Sequence, residues 1–369
     1  MRIGFDAKRY FLNNTGLGNY SRDLIRMLEV HYPEHTYIKY TPKFAQPQVE
    51  GDDVFGQDRL PRTKTSLLFP RLWRRQWIVN DLKRDKIDIY HGLSGEIPIG
   101  LEKARIKSVV TIHDLIFLRF PELYKLVDRI IYDKKFKYAV RHADKIVAIS
   151  QQTKEDIVQF YDIPKQKIEV IYQGCHPAFK TVKTEADKAA IRKKYNFPKN
   201  FILNVGSIEP RKNAFQLVKA VENMDIPLVI IGKETKYAQE IHQYIQQKGL
   251  QNKVYILQGF TMGELATIYA MADIFVYPSK YEGFGIPIIE ALYAGTPVIT
   301  NGTGVFPEAG GPFSCYVDPE NIEELSQAIG TVLSDSDLRR KMSEQGRIYA
   351  QRFNDDVLAR QWIELYQSV

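Results

Sequence analysis

The sequence predicts an α/β protein made of two parallel sheets in series. Three observations carry this reading. Short apolar runs alternate with helical stretches along the whole chain, the pattern of a parallel sheet covered by helices. That alternation restarts after a charged stretch between Lys180 and Lys194. Several apolar runs also end in glycine-broken or charged loops that open a helix, the edge at which parallel sheets hold ligands. With 369 residues, 44% of them hydrophobic, the chain is long enough for two domains that each bury a core.

In the first half, strands are expected at Arg2–Asp6, Thr36–Tyr40, Ile87–His91, Ser108–His113, Lys145–Ser150 and Ile168–Gln173. Helices are expected at Tyr20–His31, Leu126–His142 and Thr153–Tyr161. After the first strand, residues 13–20 form a small-residue loop with Gly16 and Gly18 leading into a helix; the alternative is that the two glycines serve only to turn the chain. Arg71, Arg74 and Arg75 fall on one helical face, with Trp73 and Trp77 on a neighbouring strip. Such a helix can lie on an anionic membrane surface, or bury its tryptophans in a core and solvate its arginines. The strand ending in His113-Asp114 puts an imidazole at the functional edge, where the adjacent acid can fix its orientation.

In the second half, strands are expected at Phe201–Val205, Leu228–Ile231, Val254–Leu257, Ile274–Tyr277, Pro297–Thr300 and Cys315–Val317. Helices are expected at Ala214–Met224, Tyr237–Lys248, Gly263–Met271, Ile286–Ala294 and Ile322–Leu333, with a last helix over Asp355–Tyr366. Directly after the first of these strands come Gly206, Ser207, Arg211 and Lys212, with Asn213 placed to cap the following helix. Two cations beside a positive helix end are unfavourable unless an anion compensates them, and a diphosphate would do so. Between Tyr277 and Ala294, the glycines at 283 and 285 allow positive φ, Pro287 suits a first helical turn, and bare amides make an anion-binding corner. Glu282 and Glu290 frame that corner; as bland alternatives they are solvated glutamates on a tight turn.

Composition narrows the class. No segment approaches the apolar length of a membrane span, and the N-terminus reads as a strand without a signal-peptide apolar region, so a cytoplasmic location is expected. Cys175 and Cys315 lack metal-ligand spacing and are expected as reduced thiols. No Asp-x-Asp pair offers an obvious Mg²⁺ site. Residues 1–175 hold 30 Lys+Arg against 22 Asp+Glu, so the first half faces something acidic: nucleic acid, lipid headgroups or a phosphorylated acceptor, unless the basic surface is merely solvated.

Together these stretches resemble the family four glycosyltransferases, which are retaining, use nucleotide sugars and have the GT-B architecture. The resemblance is carried by Gly16-Leu17-Gly18, His113-Asp114, Ser150, Gly206 to Asn213, Glu282-Gly283-Phe284-Gly285 through Glu290, and Pro307 to Gly310. It implies two Rossmann-like domains facing each other across a cleft that closes on binding. Residues 1–175 would form the acceptor domain, 176–352 the donor domain, and a helix within 353–369 would cross back to the first. It implies that Arg211 and Lys212 grip the donor diphosphate, that Glu290 binds ribose hydroxyls, and that Glu282 holds a sugar hydroxyl and faces the anomeric centre. His113 would approach the sugar from the other domain. Backbone amides at Phe284, Gly285 and Ile286 would meet sugar and phosphate oxygens, with Gly206 and Ser207 beside them. Gly16 and Gly18 would close over diphosphate or acceptor.

The mannosyltransferase-like look of the glycine loop and the His-Asp-Leu segment makes GDP-mannose the favoured donor, with UDP-hexoses as competitors. The acceptor would be a glycan or lipid-linked glycan of surface polysaccharide synthesis. No cofactor and no metal are expected, since fixed cations would stabilise the departing diphosphate. Phe306 departs from the family pattern, which more often has a smaller aliphatic before Pro307. A non-catalytic nucleotide-sugar or nucleic-acid binder is the alternative from another class, although basic and aromatic residues are not interleaved as in single-strand platforms, so no nucleic acid is expected.

Overall fold

The computed structural model describes residues 1–13, 15–44 and 58–369. Asn14 of the first glycine-containing segment lies outside the described residues. The chain divides into two compact units, residues 1–174 with 354–369, and residues 175–353.

The first unit is a seven-stranded parallel sheet. Its strands are β1 (Arg2–Asp6), β2 (Thr36–Tyr40), β3 (Asp58–Arg59), β4 (Ile89–Gly92), β5 (Lys107–Ile112), β6 (Lys145–Ala148) and β7 (Ile168–Val170), in the order β3-β2-β1-β4-β5-β6-β7. Both faces are covered, so the strands read as nearly continuous apolar runs. Ile3, Phe5 and Val109 face one core with Leu24, Leu28 and Trp362; Val110 and Ile112 face the other with Trp73, Leu82 and Val140. The C-terminal helix Asp355–Gln367 belongs to this unit and buries Leu358, Trp362, Ile363 and Tyr366 there.

The second unit is a six-stranded parallel sheet of β8 (Ile202–Val205), β9 (Leu228–Ile231), β10 (Val254–Leu257), β11 (Ile274–Tyr277), β12 (Val298–Asn301) and β13 (Cys315–Val317), in the order β10-β9-β8-β11-β12-β13. Strand order reverses between β1 and β4 in one sheet and between β8 and β11 in the other, and the loops after those strands flank each reversal. Ligands of doubly wound sheets bind at that crevice.

Three expectations change. The charged stretch before the second unit is not only a connection: Thr184 and Asp187 close a capping box on a helix over Glu185–Tyr195. The first glycines are not a loop, because the helix starts at Gly16 and runs to His31. The basic aromatic face also does not form as drawn. Residues Trp73–Trp77 make a π-helical turn, closed by the Ile78 amide on the Trp73 carbonyl, which shifts the spacing. Trp73 is buried and donates its indole N–H to Asp81 at 2.7 Å. Arg74 turns inward to Asp6 and to Glu96, the latter at 2.8 Å. Arg71 and Arg75 remain exposed, and Trp77 packs half-buried on the core.

Candidate active site

In the second unit the loops after β8 and β11 meet at Glu282. Its Oε1 accepts from Lys212 Nζ at 2.6 Å, Arg211 Nη1 at 2.9 Å, Ser279 Oγ at 2.6 Å and the Tyr277 hydroxyl at 3.0 Å. All four donors converge on one oxygen, and Oε2 takes none of them. The side chain is 11% exposed. Burial alone would raise its pKa, but the charges of Lys212 and Arg211 and the hydrogen bonds from Lys212 and Ser279 prevail and lower it to about 2. Glu282 is therefore ionised at any working pH.

Arg211 and Lys212 close a short 3-10 turn, Pro210–Lys212, ahead of the Ala214–Ala220 helix. Arg211 also binds Glu209 at 2.8 Å and the Tyr281 carbonyl, while its own carbonyl accepts the Lys280 amide at 2.9 Å. Lys212 donates to the Tyr277 hydroxyl at 2.6 Å. The compensating anion inferred from the sequence is thus present within the protein, as Glu282 and Glu209. Asn213 does stand at the helix start, but its side chain does not cap it and donates instead to the Pro319 carbonyl at 2.6 Å.

The corner itself forms at Gly285, which takes φ +106° at the start of the Ile286–Ala294 helix with Pro287 in its first turn. The first amides of a helix have no intrahelical acceptor, so those at Gly285 and Ile286 are suited to oxygen ligands. One turn on, Glu290 is buried, and its Oε2 accepts the Tyr269 hydroxyl at 3.0 Å. The two glutamates are joined by rings: Tyr269 packs on Phe275 at 5.0 Å, Phe275 on Tyr277 at 5.8 Å, and Tyr277 on Phe306 at 6.3 Å. Phe306, the departure from the family pattern, supports the ring that holds Glu282 and Lys212. Gly206 and Ser207 follow β8; a Cβ on Gly206 would lie 3.6 Å from the Lys212 side chain.

Tyr277 and Ser279 join this cluster although the sequence analysis singles out neither. Tyr277 shares the face of Phe275 by strand alternation. Ser279 stands three residues before Glu282, the spacing of a capping pair, and that signal was readable.

In the first unit His113 is held at both nitrogens. Nε2–H donates to the Leu93 carbonyl at 2.9 Å, and Nδ1 accepts from Gln173 at 2.9 Å. Burial lowers its pKa to about 4, against the opposing hydrogen bond to Leu93. The orienting groups are thus Leu93 and Gln173, while Asp114 Oδ1 accepts the Ile116 amide at 3.1 Å. Tyr20, in the first turns of the Gly16–His31 helix, meets the His113 ring edge-on at 4.6 Å and shares its hydroxyl with Thr111 at 3.1 Å. Gly18 is required by packing: a Cβ there would lie 1.7 Å from the Asn13 carbonyl oxygen. Its amide binds Thr15 O at 2.9 Å. Gly16 has open space around it.

The Asp-x-Asp spacing at Asp335-Ser336-Asp337 is used locally: Asp335 accepts the Leu338 amide at 2.8 Å and Asp337 pairs with Arg340. Among the described residues no group of three or more His, Cys, Asp or Glu side chains is placed to share a metal ion. Neither cysteine is in a disulfide.

Comparison with known families assigns each half. Residues 14–179 match the family described as Glycosyltransferase Family 4, and residues 187–349 match Glycosyl transferases group 1. The chain belongs to the family four glycosyltransferases. Within that family it is 28% identical to the O-antigen chain mannosyltransferase B of Escherichia coli, over all of both chains. It is 30% identical to the O-antigen chain mannosyltransferase RfbU of Salmonella typhimurium, over 60% of this chain and 62% of that one. Among solved structures, Anabaena HepE in complex with UDP superposes over all of both chains with a TM-score of 0.78 at 19% identity. That likeness shows the shared GT-B fold.

Proposed function

We propose that this glycosyltransferase moves a hexosyl group, mannosyl in the favoured reading, from a nucleoside-diphosphate sugar to a glycan or lipid-linked acceptor in surface polysaccharide synthesis. The observation that carries it is Glu282, anchored through Oε1 by four donors with Oε2 left to accept a sugar hydroxyl. Full-length similarity to an O-antigen chain mannosyltransferase supports mannose and a polysaccharide acceptor. The second reading, a UDP-hexose donor, is favoured by HepE, whose solved complexes contain UDP and UDP-glucose.

In this reading Arg211 and Lys212 neutralise the charge that grows on the diphosphate as the bond to the anomeric carbon breaks. Because they are fixed before reaction, the developing charge is met without reorganisation, and no metal ion is required for it. The helix-start amides at Gly285 and Ile286, with Phe284 beside them, take sugar and phosphate oxygens, and Glu290 takes ribose hydroxyls. Retention follows from front-face attack, in which a leaving phosphate oxygen accepts the acceptor's proton. Glu282 is then a hydroxyl acceptor and not a nucleophile; a glycosyl adduct trapped on it would overturn this assignment. The site works on the cytoplasmic side, where nucleotide sugars are made.

The deciding experiment is a donor screen that reads released nucleoside diphosphate, with EDTA in parallel. GDP-mannose is expected to turn over, and EDTA to leave the rate unchanged. Turnover with UDP-hexoses alone selects the second reading. Oligonucleotides stabilising the protein while no nucleotide sugar does would reject the enzyme reading.

A further inference from the structure

The exits of three other strands hold His113, which itself follows β5. Leu93 follows β4, and its carbonyl accepts the His113 Nε2–H at 2.9 Å. After β6, Ser150 caps the Gln151–Tyr161 helix by accepting the Thr153 amide at 3.0 Å, and Thr153 Oγ1 donates to the His113 carbonyl at 3.2 Å. Gln173 stands beyond the end of β7, and its side-chain amide meets Nδ1 at 2.9 Å. β4 and β6 are the neighbours of β5, whereas β7 lies one strand further out, so Gln173 reaches past the exit of β6 to make this bond.

Chemistry fixes the donor and acceptor at each nitrogen. The Leu93 carbonyl only accepts, so Nε2 carries a proton. A neutral imidazole has one N–H, which leaves Nδ1 bare and turns the NH2 end of Gln173 towards it. His91 differs. Its nitrogens face the hydroxyls of Tyr366 and Thr111, each at 2.8 Å, and a hydroxyl takes either role, so either tautomer satisfies that site.

The Gln173 contact also opposes protonation, since a proton on Nδ1 would set donor against donor. Burial holds the His113 pKa down at about 4; the Arg9 cation adds to this, and the bond to Leu93 opposes it. Of the other titratable groups about the ring, Tyr20 and His91 are uncharged at working pH, and Asp114 turns its Oδ1 to the Ile116 amide. A flip of the ring would put carbon atoms against Leu93 and Gln173. His113 is half-buried while Gln173 is 5% exposed, so a ligand can reach the histidine while the amide that holds it stays covered.

We propose that Gln173 is a positioning residue for glycosyl transfer: by donating to Nδ1 it keeps His113 an uncharged, fixed surface for the transferred sugar and bars it from acid–base work. The positioning role rests on the reading in which His113 meets the sugar; the tautomer does not. Long-range ¹H–¹⁵N spectra of the histidine-labelled full chain, assigned by difference from H113N, should show a protonated Nε2 and a bare Nδ1 at every pH from about 5.5 to 8.5. Q173E sets a carboxylate at Nδ1 and should raise the titration midpoint from about 4 into roughly pH 5–7. Its kcat, read as released nucleoside diphosphate, should then fall about tenfold more than that of the wild type between about pH 8 and 5.5. Q173L keeps the ring neutral but unanchored, and should lower kcat about tenfold at every pH with an unchanged donor KM. A protonated Nδ1 in the wild type, or Q173E spectra that match the wild type, overturns the tautomer assignment. Altered Q173E spectra with a wild-type kcat and pH profile overturn the positioning role, and Q173E decides this even where Q173L does not fold. The spectra need no donor, so a wild type that shows them yet turns over no nucleotide sugar fails the glycosyl-transfer reading alone.

Discussion

Glu282 sets the charge balance where the loops after β8 and β11 meet, and its replacement tests the role proposed for that carboxylate. E282Q keeps the shape but loses the charge that two cations and two hydroxyls surround; turnover should fall by about 100- to 1,000-fold in a nucleoside-diphosphate release assay. Its folded pKa, about 2 against an ordinary 4.5, means the carboxylate contributes stability that is complete above about pH 4.5 and is lost as pH falls towards 2. That contribution is on the order of 3 kcal/mol. Denaturant melts across this window should show a steeper acid loss in the wild type than in E282Q, and parallel curves would reject the assignment. Y277F removes one donor to Glu282 and one acceptor for Lys212 while keeping the ring that packs on Phe275 and Phe306. A kcat drop of roughly tenfold is expected, with an unchanged melting temperature.

At the level of elements, both sheets depend on how each strand's exit is held. Arg74 closes the end of β1 through Asp6, which is 3% exposed. R74A leaves that carboxylate buried without its partner and should destabilise the protein by about 3–5 kcal/mol, measured by urea unfolding. The helix from Gly16 depends on close approach at its first turn. G18A places a methyl against the Asn13 carbonyl, so the turn must shift, and with it Tyr20 and the His113 ring it abuts. Activity should fall by at least about tenfold with a lower melting temperature; full activity would show that the turn does not position His113.

For the whole molecule, the last helix completes one core of the first unit. Asp355–Gln367 buries Leu358, Trp362, Ile363, Leu365 and Tyr366, and the Tyr366 hydroxyl meets fully buried His91 at 2.8 Å. Large apolar side chains contribute about 1.5–3 kcal/mol each when buried, so their sum rivals the about 5–15 kcal/mol stability of a whole domain. Removal of 354–369 should give insoluble protein, scored by sedimentation and circular dichroism. The α/β class and most strands were legible because burial on both faces leaves runs such as Ile274–Tyr277 and Leu228–Ile231 almost wholly apolar. Glu282, Arg211 and Lys212 were legible because charges beside glycines at strand ends conflict with the surrounding pattern. The sequence could not show that these three bind one another, since their loops lie about seventy residues apart and meet only when β8 pairs with β11. Nor could it show that Trp73 and Arg74 turn inward, because helical spacing assumes a regular turn and a π-helical one replaced it. Local pattern determined the elements and singled out the charged residues beside the glycines; tertiary pairing decided which charges neutralise each other and which apolar side chains stay in water.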